Sequence, residues 1–195
     1  MRVGIDELAK RIERTAPRTG LTRVVAIDGP AGSGKTTLAT RLAQRSRASV
    51  VGMDELYPGW DGLADGPHRL LEWILGPLAA GGMARYRRYD WHSGRYAEWV
   101  DVPIADTLIV EGCGSGARSV APYLSYLVWI EAPVTIRMRR GIERDGETFR
   151  PHWRRWAAQE RVHFAAEGTA ARADLRLDGA PAIDHDPACE VVPLP

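Results

Sequence analysis

The sequence predicts an α/β protein in which a parallel sheet is covered by helices on both faces. Three observations predict it. Short β-branched runs alternate with segments whose apolar residues recur at helical spacing. A glycine-rich turn, residues 29–36, joins one of these runs to the helix that follows it. Three runs end on or beside a carboxylate, at Asp54, Glu111 and Glu131, and in parallel sheets ligands gather beyond the carboxyl ends of the strands.

The elements follow in order. Ile5, Leu8, Ala9 and Ile12 share one helical face, so residues 6–15 are predicted to be a helix, linked by 17–22 to a buried strand at 24–28. After the glycine-rich turn, Leu38, Leu42 and Ala43 predict a helix over 37–47. Residues 49–53 read as a second strand that stops at Asp54. Leu70, Leu71, Ile74 and Leu75 make the apolar face of a helix over 68–80, closed by Gly81 and Gly82. Tyrosine alternates with charge over 85–91, which predicts an exposed hairpin paired with 99–102, within an insertion spanning 84–103. Residues 107–110 and 126–130 are buried strands ending near Glu111 and Glu131. Pro133 suits the first position of a helix running to Asp145. A further helix over 151–164, a short strand over 174–177 and a Pro- and Asp-rich tail with one edge strand complete a single domain, 1–195. Of the carboxylates, Glu131 is the weakest candidate for function, because Pro133 makes it a helix entry.

Composition narrows the function classes. The 195 residues are 45% hydrophobic and 26% charged with a formal net charge of +1, which fits an ordinary globular domain rather than a nucleic-acid binder. No apolar run is long enough to span a bilayer and no signal-peptide core opens the chain, so no membrane and a cytoplasmic location are expected. Cys113 and Cys189 have no metal-ligand spacing, and two thiols fit a reducing compartment. Whether the chain self-associates is left open.

Gly29-Pro30-Ala31-Gly32-Ser33-Gly34-Lys35-Thr36 fits G-x-x-x-x-G-K-[ST], in the strand–turn–helix context that the motif requires. Glycines let successive N–H groups turn inward as an anion-binding nest, and the helix N-terminus adds its positive end. Gly29, Ala31, Gly32, Ser33, Gly34, Lys35, Thr36 and Thr37 are therefore the nucleotide-binding candidates. Lys35, one of only two lysines, would reach the β- and γ-phosphates, and the Thr36 hydroxyl would hold Mg2+. The expected fold is the phosphate-loop (P-loop) NTPase fold, and ATP and Mg2+ are the expected cofactors. A guanine-specific switch needs an N-K-x-D element, and a chain without asparagine has none.

Four segments resemble uridine kinases and the wider uridine kinase/phosphoribulokinase group, over about residues 23–178. They are the phosphate loop, Asp54-Glu55-Leu56-Tyr57 as the D-x-F-Y element, Tyr89-Asp90-Trp91 as the Y-D-F of a nucleoside-binding hairpin, and residues 137–145 as the arginine-rich lid helix. Val110-Glu111-Gly112 is similar to that group's strand-end V-E-G. The resemblance implies that Asp54 accepts the proton of the attacking hydroxyl and that the hairpin holds the acceptor. Two departures stand out. Gly94 occupies the place of the histidine that contacts the pyrimidine in that family, with His92 two residues earlier, so uridine is expected to be a poor acceptor. In the lid, Gly141 replaces the second of two consecutive arginines and Arg139 precedes the first. The loop is also similar to that of bacterial cytidylate kinases, but residues 51–57 differ from the element that follows it there.

The roles expected from the sequence are these. Asp54 is the general base, and Glu111 with Thr36 holds the metal. Arg137, Arg140 and Arg144 lie at i, i+3 and i+7, so one face of a lid within 137–155 clamps the transferring phosphate, with Arg140 and Arg144 as catalytic and Arg137 as nucleotide-binding groups. Arg139 points elsewhere. Tyr57, Tyr89, Asp90, Trp91, His92 and Arg95 bind the acceptor. Trp153, Trp156 and His163 are expected in the core, and Cys113 as a buried filler. The expected activity is Mg2+-dependent transfer of the ATP γ-phosphoryl group to a hydroxyl of a small molecule such as a nucleoside. A nucleoside monophosphate kinase, or a nucleotide-binding regulatory module without acceptor, are the alternatives.

Overall fold

The computed structural model describes residues 1–146 and 150–195, and the side chain of residue 145 lies outside that description. Part of the expected lid, residues 147–149, therefore lies outside the described residues. Strands β1 (Val3–Gly4), β2 (Arg23–Asp28), β3 (Ser49–Gly52), β6 (Thr107–Glu111), β7 (Tyr126–Glu131), β8 (Leu175–Asp178) and β9 (Glu190–Pro193) form one sheet in the order β1-β9-β8-β7-β2-β6-β3. The stretch from β3 through β8 is parallel. The expectation of a parallel sheet is corrected at one edge, where β9 and β1 run antiparallel. A two-residue strand such as β1 has no periodicity to read.

Alternate side chains of the central strands enter two separate cores. Val24, Ala26, Leu108 and Val110 pack on one face, and Val25, Ile27, Ile109 and Val128 on the other. Helices α1 (Ile5–Glu13) and α2 (Lys35–Ser46) cover the second face through Ile5, Leu8, Ile12, Leu38 and Leu42. The first face is covered by α3 (Gly66–Leu70), α4 (Gly76–Ala79), the π-turn Leu71–Leu75 between them, and α6 (Trp153–Glu167). The helix expected over 68–80 is thus interrupted. Pro77 has no N–H to donate to the turn before it, and the chain widens there to i→i+5 spacing. Helix α5 (Val134–Asp145) follows β7 with Pro133 as its N-cap, and α7 (Thr169–Arg172) precedes β8.

Strands β4 (Arg85–Asp90) and β5 (Arg95–Asp101) form a separate antiparallel hairpin with a register shift between Arg87 and Tyr89. Three side-chain hydrogen bonds pin it to the turn after β3. The Trp91 indole donates to the Asp54 carbonyl at 2.9 Å, the Tyr96 hydroxyl donates to the Leu56 carbonyl at 2.7 Å, and the Tyr86 hydroxyl donates to the Glu55 carboxylate. Among the described residues, no helix is long and apolar enough to cross a membrane.

Candidate active site

Central strand β2 ends at Asp28, between neighbours β6 and β7, and the phosphate loop leaves from that point. Gly29 has φ 143° and Gly32 φ 77°. A Cβ at Gly29 would overlap the Ile130 carbonyl, and one at Gly32 would overlap the backbone of Arg137. The loop thus needs glycine both for its turn and for the close approach of β7 and α5. Asp28, fully buried, accepts N–H bonds from Gly29 (2.7 Å), Gly114 (2.9 Å) and Gly116 (2.9 Å). Burial nevertheless pushes its pKa from 3.8 up to about 6, against the pull of those bonds and of Lys35.

A cleft of about 1300 Å³ opens above the loop. At its floor the Lys35 ammonium donates to the Pro30 carbonyl at 2.9 Å, and the Thr36 hydroxyl donates to Glu111 at 2.9 Å. Burial raises the Glu111 pKa, with Lys35 opposing and the charge of Asp54 adding to the rise. Asp54, exposed in the turn after β3, lines the same cleft. Its carboxylate and that of Glu111 approach a common point beside Gly52. A hydroxyl and one buried carboxylate are hard oxygen donors that fit Mg2+, which keeps waters and substrate phosphates in its shell rather than needing a protein cage. No group of three His, Cys, Asp or Glu side chains arranged for a metal occurs among the described residues.

Aromatic rings wall the other end of the cleft. Tyr57, Trp60, Trp91 and Trp156 line it. Trp60 packs 4.6 Å from Trp91 and stacks on His152 at 4.2 Å, and Tyr57 lies 5.0 Å from Trp156. The Tyr57 hydroxyl is already spent on the Cys113 carbonyl at 2.7 Å, and burial keeps it a neutral phenol.

The expected acceptor set is therefore only partly brought together. Tyr57 and Trp91 line the cleft, whereas Tyr89, Asp90, His92 and Arg95 do not. Tyr89 packs behind Trp91 and Tyr96 at 5.2 and 5.3 Å. Asp90 holds the hairpin turn, accepting from the His92 N–H at 2.9 Å, and Ser93 holds its pKa down. His92 and Arg95 are exposed. Gly94 has φ 68° in that turn, a conformation that a histidine adopts only at a cost.

The lid arginines also divide. Arg140 and Arg144 line the cleft, with Arg140 donating to the Gly179 carbonyl at 2.9 Å and Arg144 lowering the Glu111 pKa by its charge. Arg139, expected to point elsewhere, lines the cleft as well. Arg137 does not. It is buried and donates to the carbonyls of Ala132 (3.0 Å) and Ala31 (3.1 Å), so in this structure it grips the backbone of the loop. Glu131 accepts from the Trp129 indole at 2.7 Å and lies outside the cleft lining.

Several residues of the cleft and its root are not among the candidates that the sequence offers. Asp28 could have been found by the strand-end rule that found Asp54. Trp156, expected only as core, is both buried and a cleft wall. Asp178, Gly179 and the segment after β8 close the phosphate end of the cleft.

The comparisons with known proteins bear on this arrangement. A solved structure from Bacillus stearothermophilus, named as a possible uridine kinase, superposes with TM-score 0.61 at 24% identity, covering 88% of this chain and 96% of that one. The fold is that of the phosphate-loop kinases. A chain from Silicibacter sp. TM1040, named as a putative fructose transport system kinase, shares the phosphate-loop kinase fold with TM-score 0.53 at 22% identity, covering 87% of this chain and 89% of that one. A tRNA dimethylallyltransferase from Phenylobacterium zucineum (strain HLK1) is 31% identical over 191 residues, covering 83% of this chain. This chain spans 60% of the length of that relative. No family model matches the chain.

Proposed function

We propose that this chain is a Mg2+-dependent ATP kinase that phosphorylates a hydroxyl of a small, planar, unphosphorylated acceptor of nucleoside-like shape. The observation that carries the reading is the place of Asp54, between the Lys35–Thr36–Glu111 floor and the aromatic wall of one cleft. The loop's N–H groups and Lys35 hold the β- and γ-phosphates, and Arg140 and Arg144 face the charge that develops on transfer. Thr36 and Glu111 are the residues that would hold Mg2+, which would supply charge neutralisation at the phosphate oxygens. Asp54 accepts the proton as the acceptor oxygen bonds to the γ-phosphorus. The bond from that phosphorus to the β–γ bridging oxygen breaks, ADP leaves, and exposed Asp54 returns the proton to water.

The arrangement favours a hydroxyl acceptor over a nucleoside monophosphate. The arginines that line the cleft, Arg41, Arg139, Arg140 and Arg144, belong to α2 and α5 at the phosphate end. Among the described lining residues, none adds a cation at the aromatic end where a second phosphate would sit.

An ADP-release screen across nucleosides, nucleotides, sugars and vitamin precursors tests the reading. Turnover should require an unphosphorylated hydroxyl compound, with uridine a poor one. With the best acceptor, Asp54→Asn should lower kcat by roughly two to four orders of magnitude while ATP still binds. Slow ATP turnover indifferent to every acceptor would favour a regulatory module, and undiminished transfer by Asp54→Asn would remove Asp54 from the mechanism.

A further inference from the structure

Glu160 lies on α6, was not singled out in the sequence, and is 3% exposed. Three donors converge on its Oε1: the Ala31 N–H at 2.6 Å, the Trp156 indole at 3.0 Å and the Cys113 thiol at 3.2 Å. Its other oxygen lies 3.6 Å from the Arg137 guanidinium, whose Nη1 donates to the carbonyl of the same Ala31. The residue at the crest of the phosphate loop is therefore gripped through both its N–H and its C=O. The two gripping side chains come from α5 and α6, consecutive helices in the expected lid region, and they pair with each other.

We propose that Glu160 is a positioning residue which, through Arg137, keeps the phosphate loop and the lid helices in one register. The proposal rests on the nucleotide-binding part of the function proposed above. Two features support it beyond the hydrogen bonds. Stability alone is a poor reason to keep this pair, because two charges with side chains only 10% and 5% exposed cost more desolvation than apolar residues of the same volume would. The backbone of α5 also presses on the loop where Gly32 has no Cβ, so the grip acts at a contact already too tight for another residue. A phosphate drawn into the nest would move the Ala31 peptide, and Glu160 and Arg137 would carry that displacement to both lid helices.

Hydrogen exchange with and without Mg·ADP reads this coupling. In the wild type, ADP should slow exchange in the loop, residues 29–36, and also in α5 and the first turns of α6. Glu160→Gln keeps an oxygen for the Ala31 N–H and removes the charge facing Arg137. ADP affinity, measured by calorimetry, should stay within about threefold, less than one lost neutral hydrogen bond would cost. Loop protection should persist, while protection of α5 and α6 should fall to less than half. If the single variant does not fold, Arg137→Gln with Glu160→Gln removes both charges and should show the same uncoupling. Full transmission of protection in a folded variant would overturn the proposal, as would parallel loss of Tm, ADP affinity and loop protection. A wild type that does not bind ADP would overturn the nucleotide reading instead, and the calorimetry identifies that case before any variant is made.

Discussion

Asp28→Asn tests whether a buried carboxylate at the root of the phosphate loop is ionised at neutral pH against the pull of burial. The folded pKa, about 6, stands above the unfolded 3.8, so the folded state binds the proton more tightly. The associated stabilisation is fully present below pH 3.8 and is lost as pH rises through 6, a span worth about 3 kcal/mol in all. Between pH 5 and pH 7 the expected loss is about 1 kcal/mol. An asparagine oxygen can still accept from Gly29 and Gly114, but its amide nitrogen would face the Gly116 N–H. That buried donor is left unpaired at a cost of roughly 1–3 kcal/mol, which offsets most of the relief from removing the charge at pH 7. Urea unfolding at pH 5 and pH 7 is the assay. The wild type should lose about 1 kcal/mol more than the variant over this interval, while total stabilities at pH 7 remain similar. Glu111 and His163 are shifted too, up and down respectively by burial, but they remain in both proteins, so the difference isolates Asp28. Equal pH dependence in wild type and Asp28→Asn would refute the reasoning.

Two further outcomes are expected at the phosphate end. Lys35→Ala should abolish transfer and lower ATP affinity, by calorimetry, by a factor of roughly ten or more for a lost charge-assisted contact, with Tm within a few degrees. Arg140→Ala should lower kcat about a hundredfold with little change in ATP affinity, because its charge acts on the transition state; equal losses in both, or none, would point to a solvated side chain.

The phosphate loop was legible because its chemistry lies in eight consecutive residues whose backbone does the work. Asp54 and Glu111 could be expected in one cleft because strand ends in a parallel sheet lie along the same edge whatever the sequence between them. Glu160 was not, since its meaning comes from Ala31, which is 129 positions away in sequence. Helical spacing placed Arg137, Arg140 and Arg144 on one face, yet spacing carries no depth: the start of α5 presses into the loop and buries Arg137, while Arg144 emerges at the far end. In the hairpin, Asp90 and Gly94 serve the turn itself, one as an acceptor for backbone N–H and the other through its positive φ, a local role that a motif match does not disclose.

The aromatic wall gives the protein an optical signal of its own. Of seven tryptophans, Trp60, Trp91 and Trp156 line the aromatic end of the cleft, and no tryptophan belongs to the phosphate loop itself. A planar compound stacking on that wall would change the indole environment directly, whereas a nucleotide alone would act on it only through movement of the surrounding chain. Indole emission thus separates occupancy of the two ends of the cleft without a label, and an unidentified acceptor can be sought by titrating compounds against the unmodified protein before any turnover is measured.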